Sequence, residues 1–254
     1  MFKISIITVC RNSAATIRET LESVASQSHR NLEHIIIDGC STDGTLAVIN
    51  EWKQYPVRLV SEPDKGIYDA MNKGVRLATG DIVGILNSDD LYYDVHVLEN
   101  VSAAMGDASV DSCYADLVYV DKNNINQIVR YWKSCIFKKG LFQRGWVPPH
   151  PTFFVRRCIY EKHGLFDLNY LLAADFELMA RFLERREIKS IYIPKIFVKM
   201  RFGGASNKSV INIIRQNIEI YKACKKNDVP LSLPSFLAMK TGSRIKQFFT
   251  KPAG

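Results

Sequence analysis

The chain has 254 residues, 47% hydrophobic and 24% charged, a globular balance that excludes a largely disordered protein. Its net charge of +8 admits nucleic acid, anionic lipid or phosphorylated small molecules as partners and selects none of them. No apolar run reaches the roughly 18 residues of a spanning helix, and the six scattered cysteines form no C-x-x-C pair or zinc quartet, so a reducing, cytoplasmic setting is expected. The apolar run before Arg11 is short and reads as a first strand, not a signal peptide. Ile4 to Val9 is that strand, rich in β-branched residues. A helix follows to Gln27, with Ile17, Leu21 and Val24 at helical spacing. Leu32 to Ile37 is the second strand, ending at Asp38-Gly39. Ser41-Thr42-Asp43 opens a helix with Ile49 and Trp52 on its inner face. Val57 to Val60 is a third, weaker strand, and Asp64-Lys65-Gly66 is a turn. Ile67, Met71, Val75 and Ala78 then recur at helical intervals before a fourth strand, Ile82 to Leu86.

Strand and helix alternating through residue 90 is the signature of βαβ units, so a doubly wound α/β fold is expected. Open α/β sheets bind ligands beyond the carboxyl ends of their strands. Arg11-Asn12, Asp38, Glu62 to Asp64 and Ser88 to Asp90 would all gather there. The later chain is less regular. A helix is expected over Val95 to Met105, and strands over Ser112 to Val120 and Gln127 to Trp132. Lys138 to Pro151 reads as loop and Thr152 to Val155 as strand. Ala173 to Arg186 is a helix, and Ile191 to Ile193 and Ile196 to Arg201 are two strands. A break at Gly203-Gly204-Ala205-Ser206 precedes a helix over Val210 to Cys224, with Ile214, Ile218 and Tyr221 on one face. Past Pro230 and Pro234, Lys240, Arg244, Lys246 and Lys251 alternate with Ile245, Phe248 and Phe249. That tail is either a solvated helix or a segment lying on an anionic membrane.

The pair Asp89-Asp90 has two readings. Buried side by side, two carboxylates repel and are costly to desolvate. At a strand mouth they could instead hold a divalent cation, with diphosphate oxygens completing the shell. A turn or capping role is the bland alternative. Asp38 is either a nucleotide contact or a helix cap. Asp175, at a helix start, is either a dipole-favoured cap or a general base, and Glu177 is expected to be solvated. His150 is held between prolines. Cys10-Arg11-Asn12-Ser13 is no G-x-G-x-x-G, and no P-loop is present, which argues against a dinucleotide or P-loop site.

Taken in order, the series 5–12 (Ser-Ile-Ile-Thr-Val-Cys-Arg-Asn), 38–45 (Asp-Gly-Cys-Ser-Thr-Asp-Gly-Thr), 61–74 (Ser-Glu-Pro-Asp-Lys-Gly-Ile-Tyr-Asp-Ala-Met-Asn-Lys-Gly), Gly80-Asp81 and Asn87-Ser88-Asp89-Asp90 resembles family 2 glycosyltransferases of the GT-A fold. The likeness is dense over residues 1 to 92, resumes at 174–177 and 202–206, and fades past 225. It implies a metal-dependent, inverting transfer of one hexose from a nucleoside-diphosphate donor, with UDP favoured. Thr8 and Asn12 would line the nucleotide pocket, Asp38 would meet the base, and Asp64 and Lys73 would belong to the donor site. Asp89 would address ribose or donor sugar, Asp90 would hold Mn2+ or Mg2+, and Asp175 would be the catalytic base. Met71 stands where many relatives carry arginine, leaving a phosphate contact to Lys65, Lys73 or the metal. The Gln-x-x-Arg-Trp motif of processive synthases is absent.

The 62–74 motif and Pro149-His150-Pro151-Thr152 with Phe153-Phe154 resemble transferases of bacterial capsule, O-antigen and colanic-acid assembly. That implies a saccharide or lipid-linked saccharide acceptor at the inner membrane face, with His150 near acceptor or diphosphate. The 138–150 loop, or the one at Gly203-Gly204, would close over the donor. Residues 1–110 would then form the donor half, 111–226 the acceptor and catalytic-base half, and 227–254 a basic tail. The alternatives are a nucleotidyltransferase, which would want a glycine-rich loop after the first strand, and a non-catalytic sugar-binding subunit.

Overall fold

β-branched runs build the first half of one sheet. In the computed structural model, which describes residues 2–203 and 210–232 with 236, 239, 241, 242, 247–250 and 252 beyond them, β1 (Ile4–Cys10), β2 (Leu32–Asp38), β3 (Val57–Ser61) and β4 (Ile82–Ile85) lie parallel in the order β3-β2-β1-β4. The helices α1 (Ile17–Ala25), α2 (Thr45–Glu51) and α3 (Ile67–Leu77) make the crossovers that parallel pairing requires. Alternation of side chains across the strands decides the layers. Ile7, Val9, Ile35 and Ile37 pack with Ala70, Met71 and Val75 of α3, whereas Cys10 and Ile36 pack with Ile17, Leu21, Ile49 and Trp52 under α1 and α2.

The second half differs. It contains β5 (Leu91–Tyr92), α4 (Val97–Ala104), β6 (Ser112–Val120), β7 (Ile128–Trp132), β8 (Phe154–Arg156), α5 (Arg157–His163), α6 (Ala174–Ala180), a π turn over Arg181–Arg185, β9 (Ser190–Arg201) and α7 (Val210–Lys226). The nine-stranded sheet continues β4-β8-β6-β9-β5, with β7 also on β6. Pairs β4–β8, β6–β8, β6–β7 and β5–β9 are antiparallel. The sheet as a whole is therefore mixed: the doubly wound, parallel expectation holds for β1 to β4, which carry helices on both faces, and fails beyond β4. The cause lies in the connections: β6 and β7 are joined by a short turn, without the long crossover that would allow parallel pairing. The change of direction at β4 also needs Gly84, since a Cβ there would meet the ring of Phe154 at 2.3 Å.

Three local expectations are revised. Residues 190–201 form one strand, with a register break opposite Ala115 to Leu117 where Pro194 and Lys195 bulge outward. The buried carboxylate of Asp116 holds that break, accepting hydrogen bonds from Ser134 N (2.7 Å), Tyr192 OH (2.9 Å) and Tyr131 OH. Strand β8 starts at Phe154, because His150–Thr152 form a 3-10 turn, and α5 was not anticipated. In α7 the Ile214, Ile218 and Tyr221 stripe faces solvent; Ile220, Ala223 and Cys224 are the buried residues.

Candidate active site

The loops after β1, β2 and β3 are stitched to one another by their own polar side chains. Asp38, fully buried at the end of β2, accepts Ser41 N at 3.0 Å and Ser61 Oγ at 2.7 Å, with Ser41 Oγ on its other oxygen. Burial alone would raise its carboxyl, but these donors outweigh it and leave it below the ordinary carboxylate range. It caps no helix; a nucleobase could reach it only by taking over one of these bonds. Asn12, at φ 53°, joins the first loop to the second: its N–H donates to Ser41 Oγ at 2.8 Å and its Oδ1 accepts Thr42 N at 2.8 Å. Asp64 accepts Gly66 N at 2.8 Å and lays its other oxygen on Gly39, where a Cβ would sit only 2.3 Å away. Gly39 is thus required by the close approach of the third loop to the second.

Two expected donor contacts are occupied by protein partners. Thr8 is fully buried, its hydroxyl 2.9 Å from His34 Nε2, and it presents no free group at the mouth. Lys73 donates to Pro63 O at 2.6 Å and pairs with Glu62 at 2.9 Å, so its ammonium braces the third loop.

The tetrad after β4 is held from both sides. Ser88 Oγ lies 2.8 Å from Ser13 Oγ, and Thr20 Oγ1 donates to the carbonyl of Asp90 at 2.9 Å. Asp89 is exposed, whereas Asp90 has no accessible surface. One Asp90 oxygen accepts Asn87 Nδ2 at 3.2 Å; the other, buried, has no hydrogen-bond partner among the described residues. Burial, followed by the neighbouring Asp89 charge, drives the Asp90 carboxyl well above its usual range. Partial desolvation by the neighbouring loops also raises Asp89, though its surface stays exposed, and Arg201 opposes both shifts. Arg201, at the end of β9, is anchored by Glu19 and by Lys122 O (3.2 Å), and its buried Nε has no hydrogen-bond partner among the described residues. An unpartnered acid oxygen beside a second carboxylate fits a hard cation that shares its shell with a diphosphate. The described residues contain no cluster of three or more His, Cys, Asp or Glu that could hold a metal alone.

The surroundings of Asp175 are built differently. Asp175 lies in the first turn of α6, and the N–H groups just ahead of it, on Leu171, Leu172 and Ala173, are satisfied by Glu219 of α7 at 2.8–3.1 Å. Asp175 Oδ1 accepts Tyr68 OH from α3 at 3.0 Å. The Tyr68 ring stacks on Phe166 at 5.7 Å, and His150 meets the same Phe166 edge-on at 5.6 Å. Burial and then the Asp175 charge push the Tyr68 hydroxyl far above its usual range, so it remains a donor. Burial pushes His150 down, against the pull of Asp175, and the imidazole is neutral at neutral pH. Asp175 and His150 open into a cavity whose walls include Trp132, Met200, Phe202 and Gln216. Glu177 is not solvated: it is fully buried, with Arg181 at 2.9 Å and Lys226 at 3.1 Å, because a turn of α6 places it inside the domain.

The two sides meet at the end of β9. Met200 and Phe202 line the Asp175 cavity, while Arg201 between them acts on Asp89 and Asp90, as alternation along a strand dictates. Arg201, Tyr68 and Glu219 were not singled out from sequence. Tyr68 sits inside the 61–74 motif, which was the available signal; Arg201 and Glu219 act through partners far along the chain. Gly204, Ala205 and Ser206, and the tail residues Lys240, Arg244, Ile245, Lys246 and Lys251, lie outside the described residues. The described part of the tail does reach this region: Phe236 lines the cavity, Gln247 accepts Arg130 Nε at 2.7 Å, and Phe248 lies edge-on to Phe202 at 6.5 Å.

Residues 5–163 match the family model described as glycosyl transferase family 2. A Mycobacterium bovis PGL/p-HBAD biosynthesis glycosyltransferase is 33% identical over 214 residues, covering 83% of this chain and 80% of the relative. The S. aureus TarS 1-349 structure in complex with UDP-GlcNAc superposes with a TM-score of 0.66 at 16% identity, over 97% of this chain and 75% of that one. The Pyrobaculum calidifontis mannosyltransferase PcManGT, in complex with GDP-Man and Mn2+, gives 0.65 at 18% identity, over 99% and 76%. These structural likenesses bear on the fold.

Proposed function

We propose that this chain, a glycosyltransferase belonging to glycosyl transferase family 2, moves one sugar from a nucleoside-diphosphate donor held at the β1–β4 mouth to an acceptor hydroxyl held in the Asp175 cavity. The observation that carries this reading is the junction at β9, where an acid pair with an unpartnered oxygen and a cavity holding a lightly bonded aspartate lie back to back. The family points to a GT-A-like arrangement; within it residues 1–110 would serve the donor and 111–226 the acceptor and base. A sugar nucleotide as donor is supported by the UDP-GlcNAc and GDP-Man bound in the TarS and PcManGT structures, and UDP is the first nucleotide to test. The relative named for PGL/p-HBAD biosynthesis supports an acceptor in bacterial surface glycoconjugate or polysaccharide synthesis, lipid-linked or free.

Asp175 takes the proton from the acceptor hydroxyl on its Oδ2, since Oδ1 is held by Tyr68. The acceptor oxygen then bonds to the anomeric carbon as the bond to the diphosphate oxygen breaks, with its electron pair leaving on the nucleoside diphosphate. One displacement of this kind inverts the anomeric centre. Asp90 would hold Mn2+ or Mg2+ on its unpartnered oxygen, as the resemblance implies, and Asp89, exposed where Asp90 is buried, would share the cation instead of addressing ribose or donor sugar alone. When bound, the cation would neutralise charge growing on the departing diphosphate. Asn12 and Asp38 keep the nucleotide pocket in shape, and the wall around Asp175 and His150 excludes water as a competing acceptor. Calorimetric titration with UDP- and GDP-sugars, with Mn2+ or Mg2+, tests the donor site. Cation-dependent binding of one class is expected; no binding of any sugar nucleotide with either cation would overturn the reading.

A further inference from the structure

Helix α7 has one face in the acceptor cavity and the other bare. Gln216 and Ile220 line the cavity, and Ala223 and Cys224 are buried beside them. On the opposite side run Ile211, Ile214, Ile218 and Tyr221, spaced three, four and three residues apart, which are 62%, 55%, 50% and 41% exposed. That spacing makes one continuous stripe on a helix. Large apolar side chains grouped in this way on a surface mark an interaction site, whereas single ones do not.

The charges around the stripe choose the partner. Arg215, Lys222 and Lys225 are exposed and fall on the same side of the helix, and none forms a salt bridge with another described residue. The one acid in α7, Glu219, is withdrawn to the N–H groups of residues 171–173. The outer face is thus apolar and cationic with no carboxylate of its own. A second copy packed face to face would bring like charges together. An anionic bilayer surface satisfies both features at once, with isoleucines at the acyl boundary and the cations among the headgroups.

We infer that the outer face of α7 docks the protein on an anionic membrane surface, with the helix lying in the interfacial plane. The acceptor cavity then stands about one helix diameter, ~10 Å, from the headgroups. The docking itself does not depend on the transfer reaction; only its use in presenting a lipid-linked acceptor rests on the function proposed above. The surface is distinct from the basic tail, whose exposed Phe249 offers a second contact that the experiment separates.

The test is co-sedimentation of the full chain with vesicles of phosphatidylcholine, alone or mixed with phosphatidylglycerol. Wild type is expected to bind the mixed vesicles at least about tenfold better than the neutral ones, and less well in high salt. Ile214→Ser with Ile218→Ser should weaken that binding about tenfold or more while transfer to a water-soluble acceptor continues, which keeps this test separate from that of the activity. Arg215→Gln with Lys222→Gln, keeping the stripe, should weaken it several-fold, and Phe249→Ser should leave most of it. Three outcomes would overturn the inference: wild type that ignores anionic vesicles, an isoleucine double variant that binds as wild type does, or a wild-type dimer in velocity sedimentation that this variant converts to monomer, which would assign the face to a second copy.

Discussion

The proposed donor mouth and the proposed acceptor cavity treat their polar groups in opposite ways. At the mouth, Asp38, Asn12, Asp64, Lys73 and Thr8 are bonded to protein partners, so the loops are locked to one another before any ligand arrives. In the cavity, Asp175 takes a single side-chain hydrogen bond among the described residues, from Tyr68, between apolar and aromatic walls. Preorganised groups lose little entropy on binding and suit a constant ligand, the nucleotide diphosphate. A cavity with one fixed acid and adaptable methionine and aromatic walls suits acceptors that share only a reactive hydroxyl.

The sharpest way to break this contrast is Asp175→Asn. It should lower kcat by about 10^3-fold and leave donor affinity unchanged, because among the described residues the two sites are joined through β9 and Tyr68 rather than by a shared ligand-binding side chain. Transfer near the wild-type rate would remove Asp175 from the base role, and a parallel loss of donor affinity would show that the two sides are not separable. Asp89→Ala should weaken cation-dependent donor binding by about 10^2-fold while a saccharide acceptor still binds; an unchanged calorimetric titration would refute the role. Tyr68→Phe keeps the ring on Phe166 and removes the hydroxyl. A drop in kcat of about tenfold with KM retained would mark it as positioning Asp175, whereas a lowered melting temperature with normal kcat would mark it as packing alone.

The smallest effect concerns the far, amino-terminal end of the parallel strands. Burial pushes the Glu33 carboxyl up, but hydrogen bonds from Ser5, Thr79 and Lys3 outweigh it and hold the carboxyl at about 2, against an ordinary 4.5. A depressed carboxyl stabilises the fold above its unfolded value and loses that contribution as pH falls through the folded one. Glu33→Gln should therefore cost about 1 kcal/mol at pH 7, modest because the site is partly solvated. The cost should shrink from pH 4.5 towards pH 2, as measured by urea unfolding; a pH-independent difference would trace it to packing.

Strands β1 to β4 were legible because a buried parallel strand is a continuous β-branched run and its crossover helix carries a separate period. The motifs at 38–45, 61–74 and 87–90 were legible for a related reason: each loop bonds largely within itself or to a neighbouring strand end. The mixed second half was not, since strand direction depends on which distant edge is free. Glu177 shows the limit at one residue, as helical spacing cannot tell a solvated glutamate from one facing Arg181 and Lys226. The Ile214, Ile218 and Tyr221 stripe shows it for a helix, because a good apolar face need not be the one turned inward.

By itself the sequence determined the family, the parallel half-sheet, and the acids at its mouth and at the start of α6. Those properties reside in short segments whose chemistry is local. Tertiary structure alone decided that Asp89 is open while Asp90 is buried with an unpartnered oxygen, that Tyr68 reaches Asp175 across 107 positions, and that Arg201 stands between the two sites. Burial, and the pairing of charges distant in the chain, come into being only when the elements pack.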